Sequence, residues 1–103
     1  MRTPESLFMK NGYVYIMANS RPTLYTGVTD NLIERVYTHK NDFVEGFTSK
    51  YKIHKLVYYE VLNNIKSAII REKQIKNKSR KEKFEMIFKR NPNLKDLYPE
   101  IIK

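Results

Sequence analysis

Tyr13-Val14-Tyr15-Ile16-Met17-Ala18-Asn19-Ser20-Arg21-Pro22-Thr23-Leu24-Tyr25-Thr26-Gly27-Val28-Thr29 is the stretch on which the reading of this chain turns. Its two ends, 13–18 and 23–29, are rich in aromatic and β-branched residues, which fit a pleated, half-buried surface. Asn19-Ser20-Arg21-Pro22 between them are turn formers. So short a connection joins antiparallel neighbours, and the segment predicts a β-hairpin. Tyr13 and Tyr15, two apart, share one side of their strand.

Beyond the hairpin, Leu32, Ile33, Val36, Tyr37 and Lys40 follow the 3.6-residue repeat of a helix that Thr29 or Asp30 can cap and that ends near Asn41. Residues 42–51 carry Gly46 and polar residues around Phe43 and Phe47, and are expected as a loop whose aromatics pack back onto the domain. A third strand is expected at 55–61. Asn63 or Asn64 can cap a second helix running to about Lys78, and Ser79 with Glu82 forms a capping box for a third, with Phe84, Ile87 and Phe88 on one side. Asn91-Pro92 stops that helix, and 93–97 can add one more turn. The order β-β-α-β-α-α predicts an α+β domain, a small three-stranded, mostly antiparallel sheet flanked by helices. Residues 1–11 are expected as a loose lead-in, 12–98 as the domain and 99–103 as a tail.

A chain of 103 residues suits one core. It has no cysteine, which excludes a disulfide scaffold, a zinc knuckle and a thiol nucleophile. No run approaches the ~20 apolar residues that span a bilayer, and the first ten residues lack the apolar core of a secretory signal, so a cytoplasmic protein without a membrane partner is expected. A formal net charge of +9 favours a polyanion, nucleic acid above all.

One acid stands out against this basic background. Ile65, Ala68, Ile69 and Ile75 recur on one helix face, and Glu72 shares it. An inward carboxylate calls for a metal ion, a cation or a hydrogen-bond partner, because burying it alone is costly. Arg35 and His39, four apart, share a face of the first helix, while Tyr15 and Tyr25 lie on the two hairpin strands. These are parts that hydrolyse a phosphodiester: a carboxylate for a divalent cation, a cation for phosphorane charge, and groups that accept or relay a proton.

The ordered set Tyr13-Val14-Tyr15, Leu24-Tyr25-Thr26-Gly27, Leu32 to Arg35, His39, Arg71-Glu72 and Asn91-Pro92 resembles the GIY-YIG endonuclease superfamily over nearly the whole chain. The likeness is closest to its small stand-alone predicted nucleases, whose domain is similar to the N-terminal nuclease of bacterial excinuclease C. Two positions depart from the half-motifs: Tyr13 stands where a glycine is usual and Thr26 where an isoleucine is usual. The resemblance implies that Tyr15 and Tyr25 are the motif tyrosines, one of which, Tyr15 by preference and Tyr25 as the alternative, helps to deprotonate the attacking water. It likewise implies that Arg35 binds phosphate, that His39 is the helix histidine, that Glu72 is the metal ligand, and that Asn91 is the late asparagine of the active centre. It implies one-metal DNA hydrolysis with Mg²⁺, for which Mn²⁺ can substitute, in DNA repair or recombination. Targeting by structured or single-strand-containing DNA, or by a protein partner, follows by fold analogy.

Plainer readings stand beside these. Strand tyrosines usually pack, Arg35 can be a solvated helix charge, His39 can favour a helix C-terminus, and Asn91 before proline is a turn former. Glu72 can pair with Lys76, the same-face lysine at i+4. Residues 71–90 hold nine basic residues against three acidic ones; Lys73, Lys76, Lys78, Arg80, Lys81 and Lys83 among them are expected to track a phosphate backbone. The alternative to a nuclease is a noncatalytic nucleic-acid-binding module on the same scaffold.

Overall fold

The computed structural model describes residues 10–43 and 46–103, so the expected lead-in lies outside the described residues apart from Lys10 and Asn11. Among the described residues three strands, β1 (Gly12–Ala18), β2 (Leu24–Thr29) and β3 (Lys55–Leu62), form an antiparallel sheet in the order β2-β1-β3. Five helices among the same residues accompany them: α1 (Leu32–Lys40), α2 (Phe47–Lys50), α3 (Ile65–Lys76), α4 (Arg80–Arg90) and α5 (Tyr98–Ile101). The architecture is the α+β arrangement expected, with the hairpin as its first half.

The central strand explains the near-continuous apolar run in the sequence, because β1 is covered on both faces. Val14, Ile16 and Ala18 pack with Ala68 and Ile75 of α3 and Ile87 of α4. Tyr15 and Met17 point the other way, into a cluster with Leu32 and Val36 of α1 and with Ile53, Leu56 and Leu97. At the start of β1, a Cβ on Gly12 would fall 2.7 Å from the Ala68 Cβ and 2.7 Å from the Asn64 carbonyl, so the close approach of α3 requires glycine there.

Local chemistry sets the helix ends. Asn31 caps α1 in place of the expected Thr29 or Asp30, its side chain accepting from the Glu34 N–H at 3.2 Å. The Thr29 hydroxyl accepts instead from the Asn31 N–H at 3.0 Å. Asn64 caps α3 through the Ser67 N–H at 2.8 Å, and Ser79 and Glu82 form the capping box that starts α4.

Four expectations are corrected. Residues 42–51 are not all loop, since they contain α2, and Phe43 does not pack into the domain: it is 68% exposed, with the Tyr37 ring 6.0 Å away in a T-shaped pair. The α3 helix ends at Lys76 rather than Lys78, with Asn77 at its cap. Its apolar stripe is narrower than the spacing implies: Ala68 and Ile75 are fully buried, but Ile65 and Ile69 are half exposed, because a three-stranded sheet covers only part of the helix. The expected tail is partly α5, whose Tyr98 and Ile101 pack on the Tyr15 side of the sheet. That last segment is held by the Lys40–Asp96 ion pair, by the Leu56 N–H donating to Asp96 at 3.1 Å, and by the Leu97 N–H donating to the Leu56 carbonyl at 2.7 Å.

Candidate active site

Tyr15 stands opposite Gly27 in the hairpin register, and its ring lies across that glycine: a Cβ there would fall 2.5 Å from the phenol Cζ. Gly27 is therefore the space Tyr15 occupies. From this position the Tyr15 hydroxyl lies 3.0 Å from His39 Nε2, and His39 Nδ1 lies 3.1 Å from Thr48 Oγ1. All three residues are buried, so the two hydrogen bonds lie in surroundings of low dielectric. The central strand supplies the phenol, the last turn of α1 the imidazole, and the first turn of α2 the threonine.

Tyr25 joins them from β2, its ring centroid 6.3 Å from Tyr15 and 5.4 Å from His39. Arg35 is exposed on α1, four residues before His39. The charges converge on the phenol. Burial pushes the Tyr15 hydroxyl far above its ordinary pKa, Tyr25 and Glu72 push it further, and Arg35 opposes them. Burial and then Arg35 hold His39 below its ordinary pKa, which keeps the imidazole neutral at pH 7.

Glu72 belongs to the other layer, on a helix that packs chiefly on β1 and the edge strand β2. Its side chain is 12% exposed, and its carboxylate lies 2.9 Å from the Nζ of Lys76, which is 52% exposed. The neighbouring Arg71 faces elsewhere, forking onto Glu60 with Nε–Oε1 and Nη2–Oε2 both at 2.9 Å; Glu60 also accepts from the Tyr58 hydroxyl. Among the described residues no group of three His, Cys, Asp or Glu side chains gathers to cage a metal. The single Glu72 carboxylate nonetheless fits Mg²⁺, an ion that keeps most of its waters and takes its remaining oxygens from one or two carboxylates and a phosphate.

Asn91 is not brought to this site. Its side-chain amide donates to the Val57 carbonyl at 3.1 Å and to the Lys95 carbonyl at 2.8 Å, and its oxygen accepts from the Lys95 N–H at 3.1 Å. It is buried beside β3, at the sheet edge opposite β2, where it clamps the end of α4. Of the expected phosphate-tracking residues, Lys73 and Lys81 are exposed, Lys78 and Lys83 are half-buried, and Lys76 is engaged by Glu72. Arg80 bridges to the hairpin turn, donating to the Pro22 carbonyl at 2.7 Å, with its guanidinium over the Phe84 ring. A groove of about 680 Å³ between α3 and α4 mixes Lys78 and Lys89 with Glu82 and Glu85, a poor match to a polyanion. Thr48 is the site residue that sequence reasoning missed; it sits in a segment without periodicity, and nothing local marks it.

Residues 11–85 match the model of the GIY-YIG catalytic domain. A UPF0213 protein of Syntrophus aciditrophicus is 39% identical over 85 residues, which cover 82% of this chain and 97% of that relative. Another, from Clostridium perfringens, is 39% identical over 75 residues, covering 73% of this chain and 81% of the relative. The solution structure of a UPF0213 protein from Bacillus halodurans shares the fold, with a TM-score of 0.54 at 24% identity over 81% of this chain and 88% of that one.

Proposed function

Since the chain belongs to the GIY-YIG catalytic domain family, we propose that it is a divalent-metal-dependent endonuclease that hydrolyses DNA phosphodiester bonds by water attack, in the cytoplasm and in DNA repair or recombination. The observation that carries this reading is the buried line from the Tyr15 hydroxyl through His39 to Thr48, with the Tyr25 ring packed against the first two.

Arg35 forks onto the scissile phosphate, where a planar guanidinium matches two oxygens at once. The Tyr15 phenol is too weakly acidic to be ionised beforehand. It takes the proton of the attacking water while passing its own to His39 Nε2, whose neutrality leaves that lone pair available. The imidazole then carries the charge, with Nδ1–H donating to Thr48 Oγ1. The new P–O bond forms as the bond to the leaving oxygen breaks, and that oxygen gains a proton from solvent. Tyr25 packs against both rings and holds them in place. Glu72 would hold Mg²⁺, or Mn²⁺ in its place, and the ion would supply charge neutralisation at the phosphorane oxygens.

The test is nicking or cleavage of plasmid, flap and branched DNA with either metal. Wild type cuts at least one of these and Glu72→Ala cuts none. A Glu72→Ala protein as active as wild type overturns the proposal. The noncatalytic binding module is favoured by one observation, the neutralisation of Glu72 by Lys76 within α3; it predicts salt-sensitive binding indifferent to metal and to Glu72→Ala.

A further inference from the structure

The surface beside Tyr25 carries more exposed aromatic area than packing requires. Phe47 opens α2 and Tyr51 closes it; they are 48% and 38% exposed, with ring centroids 4.8 Å apart. Phe47 in turn stacks on Tyr25 at 6.4 Å with 29° between planes. The rings form a row leading from solvent to the hydrogen-bonded line of the site.

Positive charge accompanies the row. Lys50 Nζ lies 5.5 Å from the Tyr51 ring centroid, and Arg35 is exposed on α1 four residues before His39, whose ring neighbours Tyr25 at the inner end. At the outer end the hairpin turn adjoins, the Asn19 amide donating to the Tyr51 carbonyl at 2.9 Å. Arg80 is tied to the same turn through Pro22. Rings that buried nothing would be a liability in water. Aromatic faces interleaved with cations match a chain of unpaired bases on a phosphate backbone, since each base offers a π-face and each phosphate a charge. A duplex keeps those faces inside its own stack.

We propose that Phe47 and Tyr51 form a stacking platform for unpaired bases of a single-stranded DNA segment, leading its backbone past Tyr25 to Arg35. The proposal rests on the nuclease reading for the chemistry at the inner end, but not for the binding itself.

Binding of the full chain to an oligothymidine of about 12 nucleotides and to a duplex of equal length is measured with EDTA present, so that nothing is cut. A 2-aminopurine placed in the single strand reports stacking by its quenching. The expected result is single-strand affinity about tenfold above duplex affinity, with quenching, and loss of both in the double variant Phe47→Leu/Tyr51→Leu while duplex binding holds. Equal affinity for the two forms, or no quenching with wild type, overturns the platform, and the wild-type measurement decides this even if the variant misfolds. Quenching in EDTA with no cleavage in the metal-supplemented assays would sink the nuclease reading alone; cleavage in those assays with no quenching in EDTA would sink the platform alone.

Discussion

The Tyr15 ring occupies the space that a side chain at Gly27, its cross-strand partner, would need. Gly27→Ala must therefore push the phenol off His39 or splay the hairpin. The expected cost is about 1–3 kcal/mol of stability, with cleavage falling by more than that loss explains. Thermal melting beside cleavage at a temperature where the variant is folded separates the two, and a variant with wild-type cleavage would show that the Tyr15–His39 bond is dispensable.

Tyr15→Phe keeps the ring over Gly27 and removes only the hydroxyl. His39 Nε2 is then left without its partner 3.0 Å away. A stability loss of about 1–2 kcal/mol is expected, and a cleavage loss of about a hundredfold or more if the hydroxyl relays the proton. A single-turnover rate within a few fold of wild type would remove Tyr15 from the proton path.

His39 makes stability depend on pH with a definite sign. Burial and then Arg35 depress its folded pKa, so between that value and the unfolded value of about 6.5 the unfolded chain binds more protons. Its contribution is complete above about pH 6.5 and is lost as pH falls through the folded pKa. Unfolding free energies from about pH 8 to about pH 5 should therefore fall more steeply for wild type than for His39→Gln. Parallel curves would contradict this.

Lys76 competes with any cation for the Glu72 carboxylate. Lys76→Met should lower the Mg²⁺ concentration for half-maximal cleavage several-fold, at a stability loss of about 1–3 kcal/mol, because Glu72, 12% exposed, is left without its lysine. A metal titration unchanged by the substitution would indicate that Glu72 does not meet the ion.

Arg71→Ala strips Glu60 of its fork and leaves a carboxylate whose side chain is 15% exposed with Tyr58 as its remaining partner. A loss of about 2–3 kcal/mol is expected, read by urea unfolding; a loss below about 0.5 kcal/mol would place this network among surface pairs.

How much of this was legible beforehand depends on how local the signal is. The hairpin, the capping box at Ser79 and the isolation of Glu72 in a basic chain are readable because strand composition, cap chemistry and helical spacing act over a few residues. Arg35 and His39 share a face by the same arithmetic. The narrowness of the α3 stripe was not legible, since it depends on how wide a sheet the helix meets. Asn91 before Pro92 reads alike whether its amide faces a substrate or clamps a strand, and only the Val57 and Lys95 carbonyls distinguish the two.

By itself the sequence determined the order of the three strands and the three longer helices, the net basic charge and the set of residue types able to cut a phosphodiester. The tertiary structure decided which of them meet. Thr48 joined His39 and Gly27 yielded its space to Tyr15, whereas Asn91 went to the far edge and Arg71 turned to Glu60. The reason is physical: periodicity tells which way a side chain leaves its own strand or helix, but the partner it finds is set by strand register and by the layer packed against it, and both are long-range choices made by the core.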